Sequence, residues 1–245
     1  MSRPAYRLLR RRALSRLLIT CEHASRSLPA GLSASGGEAA LLRTHRGWDI
    51  GAWEVAREVS RRLRATVIGG RYSRLVVDLN RAPSDRSLIL DGIDGVSIGF
   101  NGRLTPREAG RRLAKFHAPY HVEIDRQLAR RVAARVSPLL VSFHSFTPLM
   151  NPRRRRFDVG VLFNDHARLA HRLGRELEED GFTVRFNRPY SGLEGLIYSA
   201  ARHGSSHSVP YLELEFNQRL LISPAACRRV AARAARALKR ILADR

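Results

Sequence analysis

Cysteine is almost missing from this 245-residue chain, with Cys21 and Cys227 its only two. They form no CxxC pair and cannot build a disulfide framework, so a reducing cytoplasm is the expected home. Lysine is equally scarce. Lys115 and Lys239 are the only two, although 44 basic residues face 22 acidic ones and leave a net charge of +22. Such a surplus first suggests nucleic acid or an acidic membrane as partner. The arginines are scattered over most of the chain, however, and so lopsided a ratio to lysine reads as coding bias rather than a phosphate footprint. No specific nucleic-acid partner is expected. Long apolar runs are also lacking: nothing approaches the ~18 residues of a membrane-spanning helix, so no membrane partner is expected. Arg10-Arg11-Arg12 ahead of Leu17–Cys21 has the outline of a targeting signal. That apolar run is too short for a signal core and leads into Glu22-His23 with no small-residue cleavage site. Internal repeats and Gly/Ser/Pro-rich linkers are absent as well. One domain is expected over residues 1–245, with residues 1–16 a basic arm free to fray.

What is present suits a sizeable core, since 44% of the residues are hydrophobic. Short apolar runs predict strands at Leu17–Cys21, Leu75–Leu79, Leu139–Phe143, Val159–Phe163 and Tyr211–Phe216. Helical periods lie between them. Asp49 to Arg64 puts Ile50, Trp53, Ala56, Val59 and Leu63 on one face. Thr105-Pro106-Arg107-Glu108 is a capping box opening a long amphipathic stretch in which Pro119 should kink or break the helix. Asp165 to Asp180 ends at Gly181, a C′ glycine, and Ser223-Pro224 starts a last helix. Strands alternating with helices predict an α/β fold, a mainly parallel or mixed central sheet with helices on both faces. Ligands in such folds lie beyond the carboxyl ends of the strands.

Polar residues gather at those ends. His23 and His144 each follow an apolar strand, and two imidazoles with a carboxylate would suit zinc with water in a fourth position. There is no HExxH, and position 26, where an HxxE would place its acid, is Arg26. Spacing alone therefore leaves hydrogen-bonding histidines open as the alternative. In Glu213-Leu214-Glu215-Phe216, period-2 alternation puts Glu213 and Glu215 on one face. A carboxylate there could move protons in amide hydrolysis or simply belong to a polar strand face. Asn80-Arg81 sets a neutral donor beside a planar guanidinium fork suited to a carboxylate; Asp78 or Asp85 could instead hold Arg81 structurally. Arg74 opens the predicted strand Leu75–Leu79 that this pair ends. Arg153–Arg156 reads as a solvated loop beside an active site.

These residues fall in six ordered blocks: Cys21-Glu22-His23-Ala24-Ser25, His45-Arg46-Gly47-Trp48-Asp49-Ile50-Gly51-Ala52, Ser73 to Arg81, His144-Ser145-Phe146-Thr147-Pro148, Pro189-Tyr190-Ser191-Gly192 and Glu215-Phe216-Asn217-Gln218. From Leu17 to Leu221 the chain resembles the N-formylglutamate amidohydrolase family, which is similar in fold to zinc carboxypeptidases and aspartoacylases. The resemblance implies a zinc-carboxypeptidase-like (phosphorylase/hydrolase-like) fold and one Zn2+ per chain, with His23 and His144 as ligands. It further implies Glu215 as general acid/base and Asn80 with Arg81 as a substrate-carboxylate clamp. Arg74 would polarise the scissile carbonyl or assist that clamp, and Tyr190 would cover the substrate. Since Arg26 stands where carboxypeptidase-like enzymes carry their ligand carboxylate, Glu22 is taken as third ligand, with His45 or Asp49 as alternatives. The implied reaction is hydrolysis of a small anionic substrate, N-formyl-L-glutamate, to formate and glutamate. The alternatives are the same chemistry on another N-acyl amino acid and, more distantly, a non-catalytic basic nucleic-acid-binding protein.

Overall fold

The computed structural model of the chain describes residues 4–10, 14–150 and 153–243. Its main sheet has seven strands: β1 (Tyr6–Leu9), β2 (Leu17–Cys21), β3 (Thr66–Gly70), β4 (Leu139–Phe146), β5 (Val159–Leu162), β6 (Val184–Phe186) and β7 (Tyr211–Asn217), in the order β1-β3-β2-β4-β7-β5-β6. The inner run β3-β2-β4-β7 is parallel, whereas β1 joins β3 and β5 joins β7 antiparallel. The sheet is therefore mixed.

Two apolar layers cover it. Leu17, Ile19, Val141, Phe143, Leu212 and Leu214 face one way and pack with α2 (Ala52–Leu63), which follows the short α1 (Gly36–Leu41), and with α5 (Ala167–Glu179) and α7 (Pro224–Ala243). Leu18, Ile68, Leu140 and Tyr211 face the other way, toward α4 (Ala118–Ala133) and α6 (Tyr198–Ser206). Each fully buried Leu, Ile or Phe in these layers contributes about 1.5–3 kcal/mol over its exposed state. On the α4/α6 side the strands change character along their length. Leu18, Leu140 and Tyr211 stand in register, then Thr20, Ser142 and Glu213, and then His144 beside Glu215. The apolar half of that face holds the sheet to its helices, and the polar half at the carboxyl ends is left for a site.

Three expectations need correction. Leu75–Leu79 is not a strand. Leu75, Val76, Val77 and Leu79 are buried, but the backbone turns, with the Val76 N–H donating to Ser73 O at 3.0 Å. The Leu75 and Val76 carbonyls accept from Asn101 Nδ2 at 2.7 Å and Arg112 Nη1 at 3.2 Å instead of from a sheet neighbour. The strand in this region is β3, whose Gly69 and Gly70 weaken its apolar pattern. Both are needed: a Cβ would come 2.4 Å from the Trp53 ring at position 69 and 2.1 Å from the Glu22 carbonyl at position 70. Second, Tyr6–Leu9 of the basic arm is an ordered edge strand. Its alternation sends Tyr6 and Leu8 to one apolar layer and Leu9 to the other. Arg11 and Arg12 lie outside the described residues. Third, Pro119 does not break its helix. It sits in the first turn of α4, preceded by a π-helical turn, Leu113–His117, that links α4 to α3 (Pro106–Arg112). A widened turn accommodates the hydrogen bond that a proline cannot donate. The Thr105 capping box forms, with the Thr105 N–H on Glu108 Oε2 at 2.8 Å and the Glu108 N–H on Thr105 Oγ1 at 3.3 Å. Gly181 carries the left-handed φ of +82° expected just beyond a helix end.

Candidate active site

Beyond the carboxyl ends of β2, β4 and β7 lies a cavity of about 270 Å³ lined by His23, His45, Asp49, Arg74, Asn80, Arg81, His144, Tyr190, Glu213 and Glu215, among others. His23 follows β2 and His144 lies within β4, their rings meeting edge to face at a centroid distance of 4.9 Å. Asp49 reaches them from the segment leading into α2, which the Asp49 N–H fastens to the His23 carbonyl at 3.0 Å. Asp49 Oδ2 is 2.7 Å from His144 Nδ1 and 3.5 Å from His23 Nδ1. The far nitrogens face other carboxylates: His23 Nε2 is 2.6 Å from Asp78 Oδ1, and His144 Nε2 is 2.9 Å from Glu22 Oε2. Both imidazoles thus turn Nδ1 toward Asp49 and are oriented from behind at Nε2, the arrangement by which carboxylates fix the tautomer of ligating histidines.

Glu22 is fully engaged. It accepts from Tyr120 Oη at 3.0 Å and Ser142 Oγ at 2.5 Å besides facing His144, and it is absent from the cavity lining. Burial opposes its charge, but hydrogen bonds with His144 and Ser142 hold its carboxyl well below the usual range. Burial likewise opposes the charge of Asp49, and the two histidines hold that carboxyl low. Asp78 accepts Arg74 Nη2 at 2.6 Å and Nε at 3.1 Å. Burial works against both charges, yet the pairing raises the Arg74 pKa and depresses that of Asp78.

The two strand glutamates behave differently. Burial pushes the Glu215 carboxyl well above the ordinary carboxylate range, against the pull of His144. Its Oε2 is buried and has no hydrogen-bond partner. Burial raises Glu213 to about 7, with Glu22 adding to the rise and His144 opposing it. Burial disfavours protonation of His144, but Glu213, Asp49 and Glu22 together raise its pKa well above the ordinary value.

Among the described residues, two groups bring ligand atoms within 4.8 Å of one another: His23–Asp49–His144 and His144–Glu213–Glu215. A divalent cation fits the first. Its donors are two imidazole nitrogens and a carboxylate, the His23 Nδ1 is a buried atom with no hydrogen-bond partner, and five buried carboxylates (Glu22, Asp49, Asp78, Glu213 and Glu215) crowd this centre. Arg74, held by Asp78, is the guanidinium set among them. A cation supplies the positive charge that this set calls for.

Of the residues expected to carry the chemistry, His23, His45, Asp49, Arg74, Asn80, Arg81, His144, Tyr190, Glu213 and Glu215 line the cavity and Glu22 does not. Asn80 lines it with its amide committed, Nδ2 to Glu213 Oε2 at 3.3 Å and Oδ1 to the Ser199 N–H at 2.9 Å. Arg81 holds Asp85 through Nη1 at 3.3 Å, with its side chain about 30% exposed. The Tyr190 ring packs under the Arg155 guanidinium at 5.6 Å. The sequence reading missed Ser142, Tyr120 and the bracing role of Asp78. Period-2 alternation through Leu140, Ser142 and His144 could have found the first. Nothing local marks Tyr120, which reaches Glu22 across 98 residues of chain.

The family model described as N-formylglutamate amidohydrolase matches residues 15–222. The chain belongs to the N-formylglutamate amidohydrolase family. It is 34% identical over 140 residues to the N-formylglutamate deformylase of Pseudomonas aeruginosa, a match taking in 53% of this chain and only 51% of that one. In structure it resembles the gene product Atu2144 of Agrobacterium tumefaciens, with a TM-score of 0.89 and 30% identity, covering 98% of this chain and 96% of that one. The N-formylglutamate amidohydrolase of Ralstonia eutropha JMP134 shares the fold, with a TM-score of 0.76 at 18% identity, covering 98% and 99%. Every residue lining the cavity falls within the matched residues 15–222. No helix among the described residues is long and apolar enough to cross a membrane.

Proposed function

We propose that this protein is a zinc-dependent amidohydrolase that cleaves N-formyl-L-glutamate to formate and glutamate, in a reducing cytoplasm that suits its two buried free thiols. The observation that carries the reading is the convergence of His23 Nδ1, His144 Nδ1 and Asp49 Oδ2 beside Glu215, whose Oε2 is buried without a partner. His23, His144 and Asp49 would hold the metal. Asp49 takes the place given to Glu22 on sequence grounds, because Glu22 is spent on Ser142, Tyr120 and the far side of His144. Zinc held there would supply Lewis acidity for the formyl carbonyl and for activation of the attacking water.

The remaining work belongs to side chains. Glu215 accepts a proton from the attacking water and returns it to the departing nitrogen, the two-way transfer that amide hydrolysis asks of a carboxylate. Arg81 binds the substrate carboxylate, exchanging its contact with Asp85 for a charge-assisted one. Asn80 steadies Glu213 rather than reaching outward. Arg74 is bound by Asp78, which suits it to hold Asp78 against His23 more than to polarise a carbonyl. Tyr190 lines the cavity with the Arg155 guanidinium stacked on its ring. Metal content per chain, measured together with formate release from N-formylglutamate, tests the reading. One zinc per chain with activity lost to chelator and restored by zinc is expected, and full turnover by a metal-free preparation would overturn it.

A further inference from the structure

Behind Arg81 lies a buried histidine network with no part in the chemistry above. His117, His121 and His203 are 4%, 2% and 0% exposed. His117 Nε2 lies 3.0 Å from the Arg81 carbonyl oxygen. A carbonyl can only accept, so Nε2 carries the proton and donates. The His117 ring packs on His121 at a centroid distance of 4.2 Å. His121 Nδ1 is 2.7 Å from His203 Nε2, and His203 Nδ1 is 2.6 Å from Asp125 Oδ1. Asp125 as carboxylate accepts from His203 Nδ1–H, which leaves His203 Nε2 to accept from His121 Nδ1–H. The chain Asp125–His203–His121 therefore has one consistent set of tautomers, and burial keeps His121 neutral by lowering its pKa to about 2. The His121 and His203 rings stack at a centroid distance of 5.0 Å. The π-helical turn that ends at His117 sets that ring over the next turn, and such turns frequently occur at functional sites.

We infer that His117, held by the His121–His203–Asp125 chain, is a positioning residue: its hydrogen bond to the Arg81 carbonyl fixes the backbone from which Arg81 reaches the substrate carboxylate. This rests on the reading of Arg81 as the clamp. His117 touches no substrate and acts through Arg81 alone. His117→Phe keeps the stacked ring and removes the donor. It should raise KM for N-formylglutamate about 3- to 10-fold, the worth of one hydrogen bond, with kcat nearly unchanged and turnover of the α-amide analogue unaffected. His117→Gln, whose amide can reach the same carbonyl, should restore most of the loss. In an Arg81→Ala background, His117→Phe should add nothing, because the effect travels through the missing group. Equal losses on acid and amide, an unchanged KM, or full additivity with Arg81→Ala would each overturn the proposal. If Arg81→Ala alone harms both substrates alike, the clamp reading itself falls, and the single and double variants tell these failures apart. Should His117→Phe not fold, His117→Asn, whose shorter amide stops short of the carbonyl, is read by the same criteria.

Discussion

Asp49 and Glu22 both face His144, one at each ring nitrogen, and exchanging each for its amide separates a metal ligand from a bracing group. Asp49→Asn preserves size and the approach of the Ser145 N–H at 3.3 Å while removing the charge that sits between the two Nδ1 atoms. If a bound zinc is worth about 10–16 kcal/mol over its ligands, losing one charged ligand costs on the order of 3 kcal/mol, or at least ~100-fold in affinity. Glu22→Gln should cost less. Its carbonyl oxygen can still accept from Tyr120, Ser142 or the His144 Nε2–H, and partners behind a ligand typically change affinity ~10- to 100-fold; with acceptors retained, the low end is expected. Competition with a chromophoric chelator, checked by zinc content after dialysis, measures both. Thermal unfolding of the metal-free variants confirms that each is folded. Wild-type affinity in Asp49→Asn, or a zinc-free Glu22→Gln beside a zinc-loaded Asp49→Asn, would refute the assignment and return the third ligand to Glu22.

Glu215→Gln should keep the metal and lose ~10²- to 10⁴-fold in turnover, the usual worth of a general acid–base group; near-normal turnover would move the role to Glu213. Arg81→Ala should lower kcat/KM for N-formylglutamate by roughly 30- to 1000-fold, from about 2–4 kcal/mol for a charge-assisted contact in a partly dry site. It should spare the α-amide analogue, whereas a merely structural Arg81–Asp85 pair would harm both equally. If the arginine surplus is compositional, binding to duplex DNA should be weak, indifferent to sequence and lost as salt rises through ~0.2 M. A tight specific site surviving that salt would instead favour a nucleic-acid role.

Much of this protein was legible in one dimension. Continuous apolar runs marked β2, β4, β5 and β7 because strands buried on both faces need no polar alternation. His23, His144 and Glu215 drew notice because each stands where such a run ends or turns polar. The period of a strand was enough to put Glu213 and Glu215 on one face, and both do line the cavity.

What a linear pattern cannot carry is which distant groups meet. Leu75–Leu79 looks like a strand by composition, but whether an apolar run pairs in a sheet depends on free neighbours, and Asn101 and Arg112 had already claimed the Leu75 and Val76 carbonyls. β3 was hidden because its glycines answer to the Trp53 ring and the Glu22 carbonyl rather than to any local preference. Glu22 and Asp49 are both acids near His23 in sequence, and only packing distinguishes them. Strand alternation turns Glu22 inward to Tyr120 and Ser142, while the loop before α2 carries Asp49 across to both Nδ1 atoms. The sequence determined the sheet's core and the kinds of chemical group at its edge, since these follow from short-range periodicity. Tertiary structure alone decided their partners, because hydrogen bonds and charge pairs depend on ångström distances between residues far apart in the chain.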